Sequence, residues 1–96
     1  MKFEYSKRAV ADLRRIADYH TRLDDPRVGE RIAARIKEVV AGLAPSPERG
    51  RPVVQRPGVR VVLLLQFRYK IFYRVAGETL RIVHIRHTSR RPWPAD

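Results

Sequence analysis

The chain has 96 residues, 44% hydrophobic and 32% charged, which suits one folded domain with a modest core, expected over 1–96, and not a disordered tail. Its charge is lopsided: residues 1–48 carry ten basic and eight acidic side chains, net +2, whereas residues 49–96 carry eleven and two, net +9. The absence of cysteine excludes disulfides and thiol chemistry, and the concentration of cations in one half points to a polyanionic or acidic partner.

Lys2 to Tyr5 alternates Phe3 and Tyr5 against Lys2 and Glu4, as a half-buried strand does. Ser6 is placed to cap the helix that follows, and Val10, Leu13, Ile16, Ala17 and His20 recur at helical spacing, predicting an amphipathic helix over about 7–22. Asp25-Pro26 is a second start signal, an N-cap followed by proline at the first helical position. Val28, Ile32, Ile36, Val39, Val40 and Leu43 form the next apolar stripe, so the two helices make a hairpin. Four prolines and two glycines in APSPERGRPVVQRPG (44–58) end the second helix and predict a long loop. Val59 to Leu65, Tyr69 to Val75 and Leu80 to His87 are β-branched or aromatic runs, with Ala76-Gly77-Glu78 as a hairpin turn between the last two. The expected fold is α+β: a strand, a helical hairpin, then a three-stranded antiparallel sheet, with the helices on one face.

Within RYKIFYRV (68–75), Tyr69, Ile71, Tyr73 and Val75 are expected to face the helices, with Lys70 and Arg74 on the uncovered side and Phe72 exposed between them. Arg86, Arg90 and Arg91 add cations near the same sheet edge, where Glu78 is the one nearby acid. His20 is expected to pack on the apolar side of the first helix, and His84 to share a strand face with Leu80 and Ile82. The three histidines have neither a metal-ligand spacing nor a carboxylate cluster beside them, so neither metal nor cofactor is expected. The aliphatic run Val61 to Leu65 is far short of the roughly 20 residues that span a bilayer, and MKFEYSKR has no apolar region behind its charge. A cytoplasmic protein without membrane contact is therefore expected.

Four segments in this order, ADLRRIADY (11–19), GR (50–51), YKIFYRV (69–75) and IRHTSRRP (85–92), resemble the RelE/ParE superfamily of type II toxins over nearly the whole chain. The resemblance implies a small basic growth inhibitor of the kind found in plasmid-stabilisation systems, neutralised by an acidic antitoxin. It also implies that operator DNA is contacted only indirectly, through that antitoxin. RelE-like members cleave mRNA on the ribosome, whereas ParE-like members inhibit DNA gyrase by binding it.

Metal-free RNA cleavage needs a base for the 2′-hydroxyl, cations for the phosphate and an acid for the leaving oxygen. Laid on the RelE-like pattern, Lys70 falls at the third-strand cation and Arg90 at the one past the last strand, but the second-strand lysines fall on Val61 and Leu63. Lys70 stands where arginine is usual, which loses bidentate phosphate geometry. No tyrosine follows Tyr73, and His87 alone is left for proton transfer. The departure favours ParE-like gyrase inhibition. The alternative is a ribosome-dependent mRNA endonuclease using Lys70, His87 and Arg90, and a third reading keeps antitoxin binding without toxicity. Contact with target or antitoxin is expected through Arg51, Lys70, Arg74, Arg86, Arg90, Arg91 and Trp93. Arg51 serves either such contact or a salt bridge to the sheet, and Trp93 either anchors the tail or enters a partner pocket.

Overall fold

The computed structural model describes residues 1–23 and 25–89. Strand β1 (Lys2–Tyr5) leads into helices α1 (Lys7–Leu23) and α2 (Pro26–Leu43), followed by β2 (Arg51–Pro52), β3 (Val59–Leu64), β4 (Tyr69–Ala76) and β5 (Thr79–His87). The sheet order is β1-β5-β4-β3-β2. All contacts between neighbours are antiparallel except β1 with β5, which is parallel because the helical hairpin carries the chain across between them.

Both helix starts are set by the predicted caps. Ser6 Oγ accepts from the Ala9 N–H (3.0 Å) and Asp25 Oδ1 from the Arg27 N–H (2.9 Å). The helices cross closely at Gly29, where an added Cβ would lie 3.2 Å from the Ala17 carbonyl oxygen. Their stripes, through Ala9, Ile16, Ile32, Ile36, Val40 and Leu43, pack on Leu64, Tyr69, Ile71, Tyr73, Leu80, Ile82 and Ile85 of the sheet. Val75, expected on this face, is 40% exposed, although its ladder partner Leu80 is buried. The two-residue turn Gly77-Glu78 joins β4 to β5, with Gly77 at φ 61°, which glycine adopts without strain.

The proline-rich stretch is more ordered than a loop. A 3₁₀ turn (Pro47–Arg49) and β2 occupy its first half. The organiser is Tyr73, fully buried, whose hydroxyl donates to the Pro47 carbonyl (2.6 Å) and accepts from the Gly50 N–H (2.8 Å). Gly50 is required by proximity: a Cβ there would collide with the Tyr73 hydroxyl and come within 2.8 and 2.9 Å of two ring carbons. Arg60 completes the clamp by donating to the Gly50 carbonyl (2.8 Å). Hydrogen bonds between Val53, Arg56 and Val59 fold the rest of the segment back onto the start of β3.

Candidate functional site

The helices cover one face of the sheet, and cross-strand register assigns side chains to the other. Arg51, Val61, Phe72 and His84 form one row across β2, β3, β4 and β5. Leu63, Lys70 and Arg86 form a second row, and Arg74, Arg81 and Glu4 a third. Arg51, Arg74 and Arg81 are exposed, whereas Lys70 and Arg86 are half-buried. Arg81 donates to Glu4 (2.9 Å), so a second acid joins Glu78 on this side of the molecule. Among the described residues Arg51 makes no ion pair, which removes the salt-bridge role considered for it.

Phe72 does not stand exposed between the cations. It is 5% exposed and stacks on His84, with centroids 6.0 Å apart and planes at 24°. The cause is a β-bulge: Phe72 pairs with His84 but Tyr73 pairs with Ile82, leaving Val83 as an extra residue. The slip takes His84 off the face of Leu80 and Ile82, where strict alternation would place it. A carboxylate does lie beside it: Asp12 Oδ2 is 2.6 Å from His84 Nδ1 and accepts the Ile85 N–H at 2.9 Å. That N–H needs a partner because β1 stops at Tyr5. Ser6 Oγ closes the same edge one step earlier by donating to the Val83 carbonyl (3.1 Å).

His20 does more than pack. Its Nε2 is 3.0 Å from the Tyr69 hydroxyl, and burial pushes that hydroxyl's pKa up, with neighbouring Tyr19 adding to the rise. His87 meets the Tyr69 ring edge-on at 5.2 Å, while its Nδ1 lies 2.7 Å from Ser89 Oγ and accepts the Ser89 N–H at 3.1 Å. These side chains line a cleft of about 830 Å³ between α1 and the ends of β4 and β5. Lys70 and Arg86 are neighbours across the ladder, while His87 lies on the Tyr69 side. Arg90, Arg91 and Trp93 lie outside the described residues. No group of three or more potential metal ligands occurs among the described residues, and no helix there is long and apolar enough to cross a membrane.

A family model for the ParE toxin of the type II toxin–antitoxin system parDE matches residues 3–92. The chain belongs to this toxin family. It is 40% identical over 83 residues to Toxin RelE2 of Caulobacter vibrioides, spanning 86% of this chain and 90% of the relative. The chromosomal ParDE system of P. aeruginosa contains a chain superposing with a TM-score of 0.84 at 28% identity, over 93% of this chain and 97% of that one. The isolated E. coli RelE toxin shares the fold, with a TM-score of 0.69 at 15% identity, covering 94% of this chain and 86% of its own. The α+β architecture expected from the sequence is thus that of the ParE/RelE toxins, with two strand pairings, β1–β5 and β2–β3, added to the three-stranded core.

Within the family frame, cross-strand register gives the sequence comparison a physical meaning. Val61 and Leu63 lie on the open face beside Arg51 and Lys70, and Leu65 follows in the turn after β3. Leu63 is 49% and Leu65 76% exposed. Sequence patterning missed Asp12, His20 and Arg81. Arg81 was legible from its alternation with Leu80 and Ile82, whereas the partner of Asp12 lies 72 residues away.

Proposed function

We propose that this toxin acts by binding, as a ParE-like inhibitor of DNA gyrase, and that a cognate acidic antitoxin neutralises it. The observation that carries the reading is exposed Leu63, beside Val61 on the open face and bordered by Arg51 and Lys70, with exposed Leu65 in the turn that follows. An apolar centre with a charged rim suits a protein partner, and it occupies the strand where RNA cleavage would want cations. Arg74 and Arg86 extend the charged rim, and Arg90, Arg91 and Trp93 are proposed to continue it. The antitoxin is proposed to fold an acidic segment over this face and along the helical hairpin, its approach steered by charge. Association should slow as salt rises; a rate indifferent to ionic strength removes the steering.

Purified toxin is expected to block supercoiling of relaxed plasmid by gyrase, and Leu63→Asp or truncation after Ser89 to relieve the block without unfolding the chain. Normal supercoiling at high toxin excess overturns the reading. The 40% identity to a relative named RelE2 supports a second one, ribosome-dependent mRNA cleavage with Lys70 and Arg90 on the phosphate and His87 in proton transfer. Ribosome-bound mRNA cut by the wild type and left intact by His87→Ala would establish it.

A further inference from the structure

Arg8, Arg15 and Arg22 recur along α1 at intervals of seven residues. Seven residues advance a helix by about 10 Å and bring it round to within about 20° of the same direction, so the three guanidinium stems stand in a row. All three line the cleft of about 830 Å³ between α1 and the ends of β4 and β5, a size suited to a small organic ligand. Tyr19, 52% exposed, stands on the same wall between Arg15 and Arg22. The facing wall holds Tyr69, Arg86 and His87.

The cleft's electrostatics follow from what its one carboxylate already does. Asp12, the sole acid among the described lining residues, accepts from Ile85 N–H and Arg15 and lies against His84 Nδ1. Its charge is therefore matched locally, and the guanidinium row gives the cleft a cationic rim. The aromatic components are pre-positioned: His20 is hydrogen-bonded to Tyr69, and the Tyr19 ring stands edge-on to His20 at 5.2 Å and 89°.

We propose that this cleft binds a phosphorylated nucleoside, its base against the Tyr19 ring and its phosphate on Arg15 and Arg22. Guanidinium is the side chain that grips phosphate in two-point geometry. An aromatic face between two such groups offers stacking that every nucleobase can use. An acidic peptide would meet the arginines but leave the Tyr19 face unmatched, since carboxylate side chains have no π surface. The ligand's source is either a free nucleotide or the phosphorylated end of a single strand. The cleft shares Arg86 with the charged rim beside Leu63, but the proposed contacts Arg15, Tyr19 and Arg22 all lie on α1, so their variants test the proposal separately from how the toxin inhibits growth.

Calorimetric titration of the full chain at low salt, with uridine 5′-monophosphate, uridine and inorganic phosphate as probes, tests it. Saturable binding of the nucleotide is expected, at least roughly tenfold tighter than either fragment. Tyr19→Ala and Arg22→Ala should each weaken it at least about fivefold, while Tyr19→Phe retains it and Arg31→Ala, on α2 away from the cleft, leaves it unchanged. Tyr19 and Arg22 are exposed, so unchanged unfolding midpoints will show that these variants fold. A 5′-phosphorylated hexauridylate that binds more tightly, still depending on Tyr19, identifies a strand end as the source; equal or weaker binding identifies the free nucleotide. No saturation up to about 10 mM nucleotide overturns the proposal, as does equal affinity for phosphate alone or equal weakening by Arg31→Ala.

Discussion

The two faces of β4 follow opposite rules. On the helix side Tyr69, Ile71 and Tyr73 are buried, and both hydroxyls have partners, His20 for Tyr69 and Gly50 with Pro47 for Tyr73. On the open side Lys70 stands opposite Arg86, and Arg74 opposite Arg81. Like charges directly across a ladder destabilise a sheet. Folding accounts for Tyr69, Ile71 and Tyr73 on the first face, whereas the second sets cations opposite one another, an arrangement that an anionic partner would favour. The difference separates residues that make the fold from residues placed to meet a partner.

The sharpest test of the folding face is Gly50→Ala. The new methyl group must displace the Tyr73 ring from a fully packed position and break the Gly50 N–H bond to its hydroxyl. A loss of about 3 kcal/mol is expected, lowering the thermal midpoint by more than about 10 °C. An unaltered midpoint would mean that the segment from Pro47 to Pro52 is not clamped by Tyr73. Next in size is Asp12→Ala, which strands the Ile85 N–H and the His84 ring in a buried setting. That should cost about 2–3 kcal/mol in urea unfolding, with a smaller loss for Asp12→Asn, which keeps an acceptor oxygen.

Much of the fold was legible because local chemistry dictates it. Ser6 and Asp25-Pro26 mark the helix starts, the 3.6-residue stripes give the buried faces, and Gly77 marks the hairpin. What escaped depends on contacts distant in sequence or on a one-residue slip. The bulge at Val83 leaves no mark in a β-branched run, yet it decides which face His84 takes and thereby buries Phe72. The prolines of 44–58 do break α2, but the pull of Tyr73 on Pro47 and Gly50 converts the following residues into a 3₁₀ turn and an edge strand. On the candidate site, alternation correctly put Lys70 and Arg74 on the open face, while Asp12 and His20 looked like ordinary helix positions until β5 and β4 came alongside.

Tyr73 also gives the buried face a pH limit. Burial pushes its hydroxyl above the ordinary value of 10.0, partly opposed by the Gly50 N–H it accepts. Burial likewise raises Tyr5 and Tyr69. The unfolded chain therefore gives up these protons first, so their contribution to stability is complete below pH 10 and is lost as pH rises through the folded pKa. Urea midpoints should fall steeply above pH 10. Tyr73→Phe should cost about 1–2 kcal/mol at neutral pH and flatten the alkaline slope, with Tyr5 and Tyr69 supplying what remains. A slope untouched by the substitution would show that Tyr73 does not couple folding to its proton.

On the open face the expected stability effect is the smallest, and its sign is what matters. Arg74→Glu replaces a like-charge pair with Arg81 by an opposite one, a change expected to stabilise the sheet by up to about 0.5 kcal/mol. The same substitution removes a cation from the proposed approach path of an acidic antitoxin and adds an anion. Association should slow by roughly fivefold at low salt, and the difference should shrink once ionic strength brings screening within about 3 Å at 1 M. A residue chosen for folding cannot behave in this way, because its replacement would lower stability and leave the encounter rate alone. If Arg74→Glu instead destabilises the toxin and leaves association unchanged, both faces of β4 answer to the fold alone, and the contrast between them collapses.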